Sequence, residues 1–136
     1  MALEDDLRRI AEEAGRHASD GEDVSGIVPA EPASGIRLYV CAYGGEQTSS
    51  WLVLDATGVP VQDLQLVRDA VSIAALCELA EEAAGVEPEN ARVATPALLE
   101  QLGAHGGEVT AAVAAASETV AELVRDVESG YKLELS

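Results

Sequence analysis

The apolar positions of this chain follow a helical spacing towards both ends and a strand-like alternation between them. Leu3, Leu7, Ile10 and Ala14 recur every three or four residues, with Glu4, Asp5, Asp6, Glu12 and Glu13 mostly on the other faces, which predicts a helix over 3–18. Its first-turn acids also suit the positive end of a helix dipole. Residues 19–35, SDGEDVSGIVPAEPASG, hold three glycines and two prolines without a usable period. They read as a long surface loop. Ile36 to Tyr43 is rich in β-branched and aromatic residues and reads as a strand. A polar turn, Gly44 to Ser49, leads to a second strand at Trp51–Leu54, so that 36–55 forms a hairpin. Asp55-Ala56-Thr57-Gly58 is a further turn, and Val59-Pro60-Val61 adds a short edge piece, where a proline is tolerated.

The first strand is apolar on both faces: Ile36, Leu38, Val40 and Ala42 on one, Tyr39, Cys41 and Tyr43 on the other, with Arg37 its one charge. Such a strand needs cover on both sides. One cover is the helix expected over 63–84, from an Asp63 N-cap to a Gly85 stop. Its middle, Ala70 to Cys77, is apolar nearly all round and belongs at the centre of the core. The other cover is expected to be a further helix or a second subunit. Pro88-Glu89-Asn90 marks a break, and Thr95-Pro96 opens a short helix over 96–102. A last helix is expected over 108–128, where Val109, Val113, Ala116, Val120, Leu123 and Val127 share a face. Residues 131–135, Tyr-Lys-Leu-Glu-Leu, alternate strictly and are expected to join the hairpin as a third strand. The pattern amounts to one α+β domain over 1–136: a small antiparallel sheet, a long central helix and flanking helices.

Charge changes the picture most. The 136 residues carry 25 acids and 8 bases, a formal net charge of −17, and Lys132 is the only lysine. Binding to nucleic acid depends on basic side chains that neutralise phosphates, and anionic membrane surfaces attract the same groups. Neither partner is therefore expected. The charge is uneven: residues 36–77 hold four acids and two bases, whereas residues 78–136 hold twelve and three. The hairpin and most of the central helix form a nearly neutral core inside an acidic coat. The acidic start lacks a signal-peptide pattern, and no stretch approaches the ~18 apolar residues of a membrane span. A cytoplasmic protein is expected. Abundant alanine and arginine over lysine suggest a bacterial source, and a high-salt cytoplasm is another reading of the acidity.

Candidate chemistry is sparse. Cys41 and Cys77 sit in apolar runs without metal-ligand spacing, as free core thiols do. A nucleophilic Cys77 beside Glu78 would need an electropositive setting, and its surroundings are apolar and acidic. His105 lies in a glycine-rich turn before the last helix, where an anion site is conceivable, but a plain helix-to-helix turn fits better. Glu78, Glu81 and Glu82 share part of a helix face without a partnering histidine, and Asp20, Glu22 and Asp23 lack the alternation of a calcium loop. No metal, no cofactor and no catalytic residue is assigned. The candidate binding residues are Tyr39, Tyr43 and Trp51, which place three of the four aromatics in the hairpin, with Arg37 beside them. They read equally well as an interface and as core.

The leading functional expectation is a non-catalytic protein-interaction or regulatory module that forms a homodimer, with a basic protein segment as a further partner. The alternative is a small-molecule or enzymatic site between the hairpin aromatics and the helices, with Glu46 or Asp55 as acid–base groups. A third reading is an acidic mimic of nucleic acid.

Overall fold

The computed structural model describes residues 3–46, 49–86, 92–104 and 106–136. Its elements are α1 (Leu3–Arg16), β1 (Asp23–Ala33), β2 (Ile36–Gly44), β3 (Ser49–Asp55), α2 (Leu64–Ala84), α3 (Pro96–Gly103), α4 (Gly107–Ala115) and α5 (Ser117–Ser129). The fold is α+β: a three-stranded antiparallel sheet of order β1-β2-β3 with α2 packed on it. Among the described residues no helix is long and apolar enough to cross a membrane. The break expected at Pro88-Glu89-Asn90 lies outside the described residues.

The third strand is β1, which corrects two expectations at once. Residues 19–35 are not a loop: Asp23–Ala33 pairs with β2 along its length. The strand was hidden because a bulge disrupts its alternation. Val24 pairs with Tyr43 and Gly26 with Ala42, so Ser25 is an extra residue, and its hydroxyl donates to the Ala42 carbonyl. Its prolines are also compatible with an edge strand, where one backbone N–H per pair of residues has no ladder partner. Gly35, at φ 81°, makes the turn into β2 in the left-handed region.

Residues 131–135, in turn, are not a strand. Only Tyr131 bridges the sheet, parallel to Trp51. The farther half of the β3 edge is already taken: Asp55 N–H donates to Val59 O and Val61 N–H to Val53 O. That is the short edge piece around Pro60.

Strand register sorts the sheet residues into two faces. Leu38, Val40, Ala42, Val53 and Trp51 lie on one face with Val28 and Ala30, and Tyr39, Cys41, Tyr43, Leu52 and Leu54 lie on the other. α2 covers the first face, burying Val67, Ala70, Val71, Ala74 and Cys77 against Ala30, Leu38 and Val53. α1 covers the second, with Ile10 and Ala14 fully buried against Tyr39, Cys41, Tyr43, Leu52 and Leu54. The second cover is thus a helix of the same chain. The Tyr43 hydroxyl donates to the Ala14 carbonyl at 2.7 Å, which anchors the end of α1 to β2.

The helix ends follow their sequence signals. Asp63 accepts from the amides of Gln65 and Leu66, and Gly85 takes the left-handed conformation (φ 69°) that stops α2. Thr95 accepts from the Leu98 amide at 2.9 Å. The helix expected over 108–128 is instead two, broken at Ala116. The break lets the two halves serve different clusters. Val109 of α4 packs with Ala80 and Leu102, whereas Val127 of α5 belongs to the cluster under the sheet.

Removing the α1 contact should show directly in stability. Ile10→Ala leaves a cavity against the buried tyrosines and is expected to cost about 2–5 kcal/mol in chemical denaturation. A loss well under 1 kcal/mol would mean that α1 does not seal that face.

Candidate functional site

At the end of the sheet where β3 begins, charged and polar groups from three separated segments converge. The connection between α1 and β1 brings Ser19 and Glu22, the start of β3 brings Ser50, and the residues after α5 bring Lys132. Together with His17 and Leu133 they line an open cleft of about 530 Å³. At its floor Lys132 Nζ donates to Glu22, with side chains only 12% and 8% exposed. The ammonium also lies 4.4 Å from the centroid of the Tyr43 ring, a cation–π contact. The Glu22 carboxylate further accepts from the Ser19 amide at 2.9 Å and the Ser50 hydroxyl at 2.8 Å. The Lys132 hydrogen bond, followed by those from Ser19 and Ser50, lowers the Glu22 pKa to about 2. Glu22 therefore stays ionised at neutral pH and has no proton to give. The arrangement is a fastener between the two ends of the chain, not an acid–base pair.

Neither member stands out in the sequence: Glu22 belongs to an acidic cluster without the alternation of a calcium loop, and Lys132 to an alternating stretch that reads as a strand. The available signal was that the single lysine of a strongly acidic chain seldom stands without a nearby carboxylate.

Three of the four candidate binding residues are occupied within the chain. Tyr39 and Tyr43 are 1% and 2% exposed beneath α1. Burial raises the Tyr43 pKa, helped by nearby Cys41 and Glu22. Arg37 pairs with Glu31 at 3.0 Å. Burial opposes its charge, but the Tyr39 hydroxyl and Glu31 together raise its pKa. Trp51 lies on the opposite face from the tyrosines, partly buried against Gly130, where an added Cβ would come within 2.8 Å of the ring. The four are therefore not brought together into one platform.

The other described candidates have structural roles or are exposed. Asp55 closes the turn after β3, accepting from the Thr57 hydroxyl and the amides of Thr57 and Val59. Partial burial opposes its ionisation, and these hydrogen bonds outweigh burial and lower its pKa. Glu46 is exposed at the end of β2. Burial pushes the Cys41 thiol up to about 12 and the Cys77 thiol up to about 11, away from nucleophilic chemistry. His105 lies outside the described residues. Among those described, no three His, Cys, Asp or Glu side chains are grouped to hold a metal ion.

The other surface of note is apolar. On the α2 face of the sheet Val28 is 37% exposed and Val40, Ala42 and Trp51 are partly exposed, Val40 and Trp51 at the margin of the cluster that α2 buries. None of the four carries a charge.

No protein-family model, curated protein or solved structure matches this chain.

The Glu22 pair carries a pH signature. Its pKa of about 2 lies below the ordinary value of 4.5, so its stabilisation is complete above the ordinary value and fades as pH falls through that interval. The melting-temperature difference between wild type and Glu22→Gln is expected to be largest near neutrality. It should shrink from about pH 4.5 towards pH 2, and comparing the two proteins cancels most of the change in overall charge. A difference that stays constant through that window would contradict the assignment.

Proposed function

We propose that this chain is a non-catalytic interaction module of the cytoplasm that pairs with a second copy of itself through the uncovered part of the α2 face. The observation that carries this reading is the neutral strip of Val28, Val40, Ala42 and Trp51 in a chain of net charge −17. Two such copies repel one another at most orientations, and this uncharged strip, flanked on the same face by Asp23 and Asp55, is where they can approach most closely. Apolar, aromatic-containing surface of this kind is also what isologous pairs bury. The fastened state of Glu22 and Lys132, the turn role of Asp55 and the buried thiols support a role without catalysis.

The outward acidity supports a second partner class, a basic protein segment. Among the described residues Arg8, Arg9, Arg16, Arg37, Arg68 and Lys132 all pair with carboxylates of the same chain. Most remaining carboxylates of α1, the end of α2 and α5 therefore face solvent uncompensated, a field that attracts cations.

Sedimentation equilibrium tests the pairing. The wild type is expected to dimerise, more tightly at higher salt because repulsion is screened. Val28→Glu should weaken the dimer by roughly tenfold or more, the scale of burying an unpaired charge at an interface. A wild type that stays monomeric across concentrations, or a Val28→Glu dimer of unchanged affinity, would contradict the proposal.

A further inference from the structure

The two edges of the sheet are closed by different means, and the β3 edge has the more demanding problem. Ser49–Leu54 is uncharged, lacks proline and contains Trp-Leu-Val-Leu, the composition of a segment that pairs readily with copies of itself. β1, by contrast, carries the usual edge guards: the bulge at Ser25, Pro29 and Pro32, and a bridge from Ala94 to Ala30.

On β3 the groups pointing away from β2 belong to Trp51, Val53 and Asp55. Trp51 N–H donates to Gly130 O, and Lys132 N–H donates to Trp51 O. Asp55 N–H donates to Val59 O. Between these backbone contacts the sealing group is a side chain. Val53 N–H donates to the Tyr131 hydroxyl at 3.0 Å, and that hydroxyl donates onward to Val61 O. Val53 O is met by the Val61 N–H, so the phenol takes the place of the carbonyl that a neighbouring strand would offer the Val53 N–H. Burial pushes its pKa up to about 12, so it keeps the proton it donates. Farther along, Ser136 N–H donates to Gln62 O and accepts at its own carbonyl from Leu64 N–H. Lys132 ties the segment at its other end, through its backbone to Trp51 and through its ammonium to Glu22.

We propose that residues 130–136 are a strap that occupies the outer edge of β3 from Trp51 to the Val53 amide, the rest of that edge being held by Val59–Val61, with the Tyr131 hydroxyl as its central seal, and that releasing it frees this part of β3 to pair edge to edge with the β3 of a second copy. The neutrality of β3 favours that occupant, since a second copy brings no carboxylate to the strand centre. This association uses an edge, whereas the pairing proposed above uses a face, so the two stand or fall separately.

Amide hydrogen exchange followed by NMR, in a Val28→Glu background that removes face pairing, tests the strap. Tyr131→Phe keeps the ring and deletes the seal. The Val53 amide is expected to exchange roughly tenfold faster or more, the scale of leaving such a group unsatisfied. The Leu52 and Leu54 amides, which point towards β2, should keep their protection. Adding Lys132→Met should speed the Trp51 amide as well. As protein concentration rises, the Val53 amide of the double variant should regain protection while sedimentation shows growth in mass. An unchanged Val53 amide, or equal acceleration at Val53, Leu52 and Leu54, would overturn the strap. Protection that does not return with concentration would overturn edge pairing with a second copy.

Discussion

The structure depends on burying β2 from both sides. Its two faces, one carrying Leu38 and Val40 and the other Tyr39, Cys41 and Tyr43, cannot be satisfied by a single layer. α2 supplies one cover and α1 the other, so the sheet is the middle of a three-layer arrangement built by one chain. Two tyrosines fully inside a small domain contribute a large apolar area. The Tyr43 hydroxyl is satisfied at Ala14 O, and the register that aims it there also places its ring beneath Lys132. The same strand therefore fixes where α1 ends and where the Glu22–Lys132 fastener can form.

How much of this could be read in the sequence depended on whether the determining signal was local. The spans and caps of α2 and α3 are legible because Asp63, Gly85, Thr95 and Pro96 act on the turn they sit in. The two apolar faces of β2 were legible from alternation alone. β1 was not, because the bulge at Ser25 shifts its alternation by one residue and because two prolines and a glycine mimic a loop. The mistaken strand at 131–135 has the converse cause. Its alternation is real, but Val59–Val61 holds the far half of the β3 edge, which leaves residues 131–135 only the bridge at Trp51. The split at Ala116 left no proline or glycine to mark it and is set by two different packing partners.

The candidate residues divide in the same way. Tyr39, Tyr43 and Arg37 were found as a group because they are close in sequence, yet burial and the Glu31 pair commit them to the fold. The charged cleft joins positions 22 and 132, a separation no local pattern encodes. Charge operates at a coarser level. The acidic coat restricts how any two copies can meet, and what remains is a short neutral strip on the α2 face beside edges that are bulged, proline-bearing or strapped.

The dependence on β2 is tested most directly by native-state hydrogen exchange of the whole chain in increasing low concentrations of denaturant. If the doubly covered strand is the constraint on which the rest relies, the protected amides of Tyr39, Cys41 and Tyr43 and those at the centre of α2 will converge on one global unfolding transition. If the β2 amides exchange through an earlier, separate opening while α2 remains protected, the account is contradicted.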